Sequence, residues 1–111
     1  MAENKQYITQ VQENGSVLIS EEVLVSIIFQ AVAEVENVAR SGKPGINWGK
    51  GIKVTIADDD KVTVKCYINV AYNQSVVTAA AAVQEAITTA LESMTGVTVA
   101  SVNVNVCGLI R

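Results

Sequence analysis

Histidine is absent from this 111-residue chain, which also has only one phenylalanine, one tryptophan, one proline and two cysteines. Without an imidazole, neither cysteine has the base that usually activates a thiol nucleophile. Two cysteines are also too few for a structural zinc site built on thiolates. Cys66 and Cys107 both fall in alternating strand patterns. They read as small buried apolar residues in a reducing compartment, with no disulfide. Lysine and arginine number 8 against 11 acidic residues, a net charge of -3. Direct capture of nucleic acid or anionic lipid needs clustered cations, so both are disfavoured. No apolar run reaches the roughly 20 residues of a membrane span. Residues Met1 to Gln6 are polar and lack the apolar core of a signal peptide. A cytoplasmic chain without direct membrane insertion is expected.

What the chain has is valine and alanine. Half the residues are apolar and 17% are charged, with a mean hydropathy of +0.31. One domain of this length can build a core without disulfides. An apolar excess of this size often ends in a subunit interface.

Periodicity orders the chain. Tyr7 to Val11 can extend, Asn14-Gly15 is a turn signal, and Val17-Leu18-Ile19 is a short strand. Ser20 stands where a helix N-cap belongs, and Glu21 and Glu22 suit the first turn. Leu24, Ile27, Ile28, Ala31, Val35 and Val38 then recur at helical spacing, which predicts a helix from about Glu21 to Val38. Ile52 to Ile56 and Val62 to Val70 alternate around Asp58-Asp59-Asp60, a hairpin. Ser75 opens a second helix with Val76, Ala80, Val83, Ile87, Leu91 and Met94 on one face, and Gly96 closes it. In the last strand Val97 and Val99 are odd while Val102, Val104 and Val106 are even. That phase slip means one residue is absorbed near Ala100-Ser101, by a bulge or because the strand proper begins there.

The expected fold class is α+β: a single β-α-β-β-α-β domain, with two helices packed on one face of a mostly antiparallel or mixed sheet, in a ferredoxin-like or related split arrangement. Residues 1–14 form a tail or short extension, and 15–111 the domain. The other sheet face stays open. It carries Lys53, Thr55, Thr63, Lys65, Tyr67, Asn69, Asn103 and Asn105.

No polar cluster matches a known chemistry. The loop from Gly42 to Gly51 has no register of the phosphate-binding glycine pattern and leads into a strand. Its Gly42-Lys43-Pro44-Gly45 spacing is that of a loop joining two helices in an RNA-binding module, a context missing here. Asp58-Asp59-Asp60 lacks the spaced ligands and distal glutamate of a calcium loop and reads as a solvated turn. A base-stacking platform needs several aromatics, and the open face has Tyr67 alone. No catalytic, cofactor or metal residue is assigned. Trp48, isolated in a glycine-rich basic loop, either folds back on the core edge or anchors a partner. The interaction residues expected are Trp48, Tyr67, Asn69, Asn103 and Asn105. They would serve a homo-oligomer joined through an edge strand or the open face.

Several segments carry a resemblance when read in order. They are Gly15-Ser16-Val17-Leu18-Ile19-Ser20, Ala33-Glu34-Val35-Glu36-Asn37-Val38, Ile68-Asn69-Val70-Ala71-Tyr72, Val83-Gln84, and Met94-Thr95-Gly96-Val97 with Val102-Asn103-Val104-Asn105-Val106. From about Gly15 to Gly108 the chain resembles the alkaline shock protein family, the envelope stress response proteins of Gram-positive bacteria. Asn37 and Asn73 stand where the family usually has glycine, and asparagine tolerates positive φ better than most residues. The resemblance implies a non-enzymatic cytoplasmic scaffold or adaptor that self-associates and reaches the membrane through a membrane-anchored partner protein. The alternative reading is a small nucleic-acid-binding module using the open sheet face.

Overall fold

The computed structural model describes residues 7–36, 38–40 and 52–110. In chain order the elements are β1 (Tyr7–Gln12), β2 (Gly15–Ser20), α1 (Glu21–Ala33), β3 (Val38–Arg40), β4 (Ile52–Ile56), β5 (Lys61–Ala71), α2 (Val76–Thr95) and β6 (Thr98–Ile110). Strand β5 explains most of the rest. Its alternation is unbroken, and only an extended chain puts every apolar side chain of such a run on one side. Val62, Val64, Cys66, Ile68 and Val70 are all buried, while Lys61, Thr63, Lys65, Tyr67 and Asn69 face the other way.

Both edges of β5 are used. β4 pairs antiparallel with it from Ile52 opposite Cys66 to Ile56 opposite Val62. β3 pairs antiparallel further along, Val38 opposite Val70 and Arg40 opposite Ile68. β6 runs parallel to β5 from Lys61 to Ala71. A strand has only two edges, so β3 and β4 share one and β6 takes the other. The parallel pairing follows from the connection, because α2 carries the chain back to its starting end. The α+β class holds, with two helices on one face of a mixed four-stranded sheet.

The sequence reading and the structure differ at the N-terminal side. The predicted strand at Val17-Leu18-Ile19 exists, but among the described residues it pairs only with β1, in a separate two-stranded hairpin. That departs from a ferredoxin-like sheet, in which the first strand would be a member. The hairpin is fixed to the domain by Ile8, which is 1% exposed, and by the Gln10 side chain, which donates to the Thr95 carbonyl at 3.3 Å. Nor does α1 reach Val38. It ends at Ala33, in a tight turn where the Glu34 and Val35 amides donate to the Ala31 and Val32 carbonyls. Val35 and Val38 still pack on the core. Periodicity identified their burial and missed the change of backbone, because a helix and a turn followed by a strand can bury the same two valines. Ser20 flanks α1 in an extended conformation and makes no side-chain cap bond.

Elsewhere most local signals act as predicted. Val76 and Met94 of the expected apolar face, however, are 39% and 69% exposed, because they lie at the two ends of α2. Cys107, expected to be buried, is exposed near the end of β6. The Ser75 hydroxyl accepts from the Thr78 amide at 3.2 Å, and Gly96 ends α2 at φ 72°. Asn73 also takes a positive φ of 72°, whereas Asn37 lies outside the described residues. Asp60 does so at 65°, closing the β4–β5 hairpin in a three-residue loop. The phase slip in β6 is a bulge at Ala100, since Val99 faces Val62 and Ser101 faces Thr63. A second bulge at Cys107 puts Gly108 opposite Asn69.

The core is aliphatic. Ile28 of α1, Val64 of β5 and Ile87 of α2 are fully buried, and Val104 of β6 is half-buried against them. Ile87→Ala is expected to cost about 2–5 kcal/mol, the transfer loss plus the cavity left behind. Chemical denaturation checks this; a loss within error would mean that α2 presents another face to the sheet.

Burial pushes the Cys66 thiol up from 9.0 to about 11. A folded-state value above the unfolded one means the thiol's contribution is intact below pH 9 and is lost as pH rises through about 11. Stability should fall across that window, and Cys66→Val should flatten the fall. Cys107 is exposed. At about pH 8 an alkylating reagent should modify one thiol of the native chain and both after denaturation.

Candidate interaction surfaces

The sheet face away from the helices is built by the same alternation that fills the core. Tyr67 of β5 lies directly opposite Asn105 of β6, and Lys65 opposite Asn103. Asn69 is the next outward residue on β5, and it reaches over the Gly108 backbone. A methyl group at Gly108 would stand 3.2 Å from Asn69 Oδ1. That contact is tight, and a shift of a few tenths of an ångström in the carboxamide would relieve it. Four of the five expected interaction residues, Tyr67, Asn69, Asn103 and Asn105, therefore share one open surface. Trp48 and the rest of the Gly42–Gly51 loop lie outside the described residues.

This face has a feature that sequence reading passed over. Lys53 of β4 sits directly across from Lys65 of β5. Like charges opposite each other on a sheet repel. Lys65 Nζ turns toward Tyr67, 5.7 Å from the ring centroid, a cation–π distance. Thr55 and Thr63 face each other beside the pair. No acidic residue stands at an outward position of β4, β5 or β6.

The edge of β6 is a second surface. Its 13 residues contain no charge and no proline. Among the described residues it pairs with β5 alone. Long uncharged edges of this kind invite another strand. Side chains of α2 cover the first half. The Gln84 amide donates to the Val102 carbonyl at 3.0 Å, and the Val99 amide donates to a Glu92 carboxylate oxygen at 3.5 Å. Alternate residues of a strand point their backbone groups the same way. With Val102 turned outward, Val104 and Val106 are as well.

A third surface lies on the helical side. An apolar crevice of about 1070 Å³ runs between α1 and α2 and is closed at one end by β2. Ile27 and Ala31 form its floor, Ala86 and Ala90 keep one wall low, and Glu34 and Glu85 stand at its rim. The sequence held a signal for it. None of the eight lysines and arginines falls between residues 7 and 36 or between 72 and 110, the segments that make the hairpin and both helices.

Among the described residues, groups that could bind a metal do not converge. Cys66 lies in the core, and Cys107 lies at the edge-strand bulge. Asp58, Asp59 and Asp60 make a solvated turn in which Asp59 accepts from the Lys61 amide at 3.2 Å and pairs loosely with its ammonium at 3.9 Å. Among the described residues, no three acidic or cysteine side chains are grouped to hold a metal ion. No helix among them is long and apolar enough to cross a membrane.

Comparison with known proteins yields a family and a cellular context. A relative in Bacillus subtilis (strain 168), the uncharacterized protein YqhY, is 36% identical over 107 residues, covering 86% of this chain and 77% of that protein. No solved structure matches. The model of the alkaline shock protein family, described as having a cell envelope-related function, matches residues 9–111. With that match over nearly its whole length, the chain belongs to the alkaline shock protein family that its sequence motifs resemble.

Proposed function

We propose that this chain is a non-enzymatic, self-associating scaffold or adaptor in cell-envelope homeostasis, acting at the membrane through a partner protein. The family supplies the envelope context. The observation that carries self-association is the half-guarded edge of β6. α2 caps the Val99 amide and the Val102 carbonyl, and the outward backbone groups at Val104 and Val106 follow beyond that cover. A second strand laid there would extend the sheet and continue the open face of Tyr67, Asn103 and Asn105. The compartment that fits is the cytoplasm, with the two cysteines as free thiols.

The Lys53–Lys65 pair beside Tyr67 favours the second reading, a small nucleic-acid-binding module on the open face. Salt separates the two. If two lysines neutralise two phosphates of a single strand, affinity drops about sevenfold between 50 and 200 mM salt. Strand addition and apolar contact persist.

Light scattering at micromolar concentration is expected to give a dimer or larger species that survives raised salt. Val104→Pro removes an outward amide without touching the β5 pairing, and Asn105→Lys places a charge beside the edge. Both variants should shift the mass toward the monomer while circular dichroism stays native. A strictly monomeric parent across salt and concentration would remove the scaffold reading.

A further inference from the structure

We propose that the crevice between α1 and α2 is a docking groove for a cationic amphipathic helix of another protein. This deepens the adaptor reading by giving the partner a site and a chemistry. The groove is concave, apolar along its floor and open to solvent. Val23 and Met94 at its margin are 45% and 69% exposed, which leaves large apolar surface without cover. A helix seated in such a groove presents apolar side chains at i, i+3, i+4 and i+7. α1 rises about 20 Å, long enough to support roughly two to three turns of a partner lying along it.

Charge selects the partner's sign. Glu34 and Glu85 stand at the rim, and neither helix nor the hairpin carries a single lysine or arginine to neutralise them. Both helices also end without a basic residue in the last turn. Hydrogen bonds take up the Ala31, Val32, Leu91, Glu92 and Thr95 carbonyls, but no cationic side chain offsets the negative end of either helix dipole, which cations stabilise and anions do not. The Gln30 side chain donates to Glu34 Oε1 at 3.3 Å and holds that carboxylate beside the crevice. A helix with lysines or arginines flanking its apolar stripe meets every one of these features.

Other occupants fit less well. A second copy has no cationic helix to offer, because all its basic residues lie outside both helices. Its Lys53 and Lys65 stand on a flat sheet face that cannot enter a concavity. A fatty acid or an anionic membrane surface would bring negative charge to a rim that is already negative.

The test uses the full chain, with its oligomeric state measured in the same samples so that failure of the groove and failure of self-association are seen separately. The probe is an 18-residue leucine–lysine amphipathic peptide, compared with the same peptide carrying glutamate for lysine. The lysine peptide is expected to bind at least tenfold more tightly, with amide shifts confined to residues 23–35 and 85–95. Glu34→Lys with Glu85→Lys should abolish that preference. The control pair Glu21→Lys with Glu22→Lys changes net charge equally outside the groove and should keep it. Thr89→Trp, at an exposed position on the wall, should block the peptide without loss of fold. Equal binding of both peptides, shifts located elsewhere, or equal effects of the two charge-reversal pairs would overturn the proposal. Displacement of the peptide by a long-chain fatty acid would also overturn it. So would loss of self-association in Thr89→Trp, which would assign the groove to a second copy.

Discussion

Strand β5 is the constraint on which the structure depends, because every residue in it must satisfy two neighbours at once. One edge of β5 bonds to β3 and β4, the other to β6, and one face carries the centre of the core. A one-residue slip in its register would turn five buried side chains to solvent and five polar ones into the core. β6 must therefore keep its phase against β5 over 11 paired positions, and it does so with two bulges. The bulges take up the mismatch in β6, the edge strand, where an unpaired residue is least costly.

That arrangement also sorts the charges. The outward face of the sheet carries Lys53, Lys61 and Lys65, whereas the hairpin and helices hold acids and no bases. Each layer is thus polarised on the side turned away from the core. A net charge of -3 hides this, since the two layers offset each other in the sum. Long-range steering depends on where charge sits as much as on its total. The proposed adaptor role would use that separation of charge between the two faces.

Much of the fold was legible because it rests on short-range rules. Alternation marked β4, β5 and β6, Gly96 marked the end of α2, and the odd-to-even valines marked the bulge at Ala100. What could not be read depends on choices between partners. Val17 to Ile19 has the pattern of a strand in either sheet, and only the tertiary fold pairs it with β1. Val35 and Val38 satisfy a helical period and equally a turn followed by β3. The open face was visible in Asn103 and Asn105, yet the opposition of Lys53 and Lys65 needed a register that no single strand contains. The crevice was hidden for a related reason. Its alanines read as helix-packing residues, and only the spacing of α1 from α2 turns them into a low wall.

The same physics bears on why the described residues show surfaces rather than a cluster of reactive groups. A reactive site needs polar groups held in a dry, fixed environment, and each buried polar group must find partners. No polar or charged residue is buried among the described ones, and the one buried thiol is made less acidic by its surroundings. Such a core confers shape and stability. Specificity must then come from what is laid outside it: an edge guarded at Val99 and Val102 but not beyond, a basic carboxamide face, and an acidic groove. All three lie on different sides of one small sheet. In the proposed assembly, a second copy along the edge would leave both faces open.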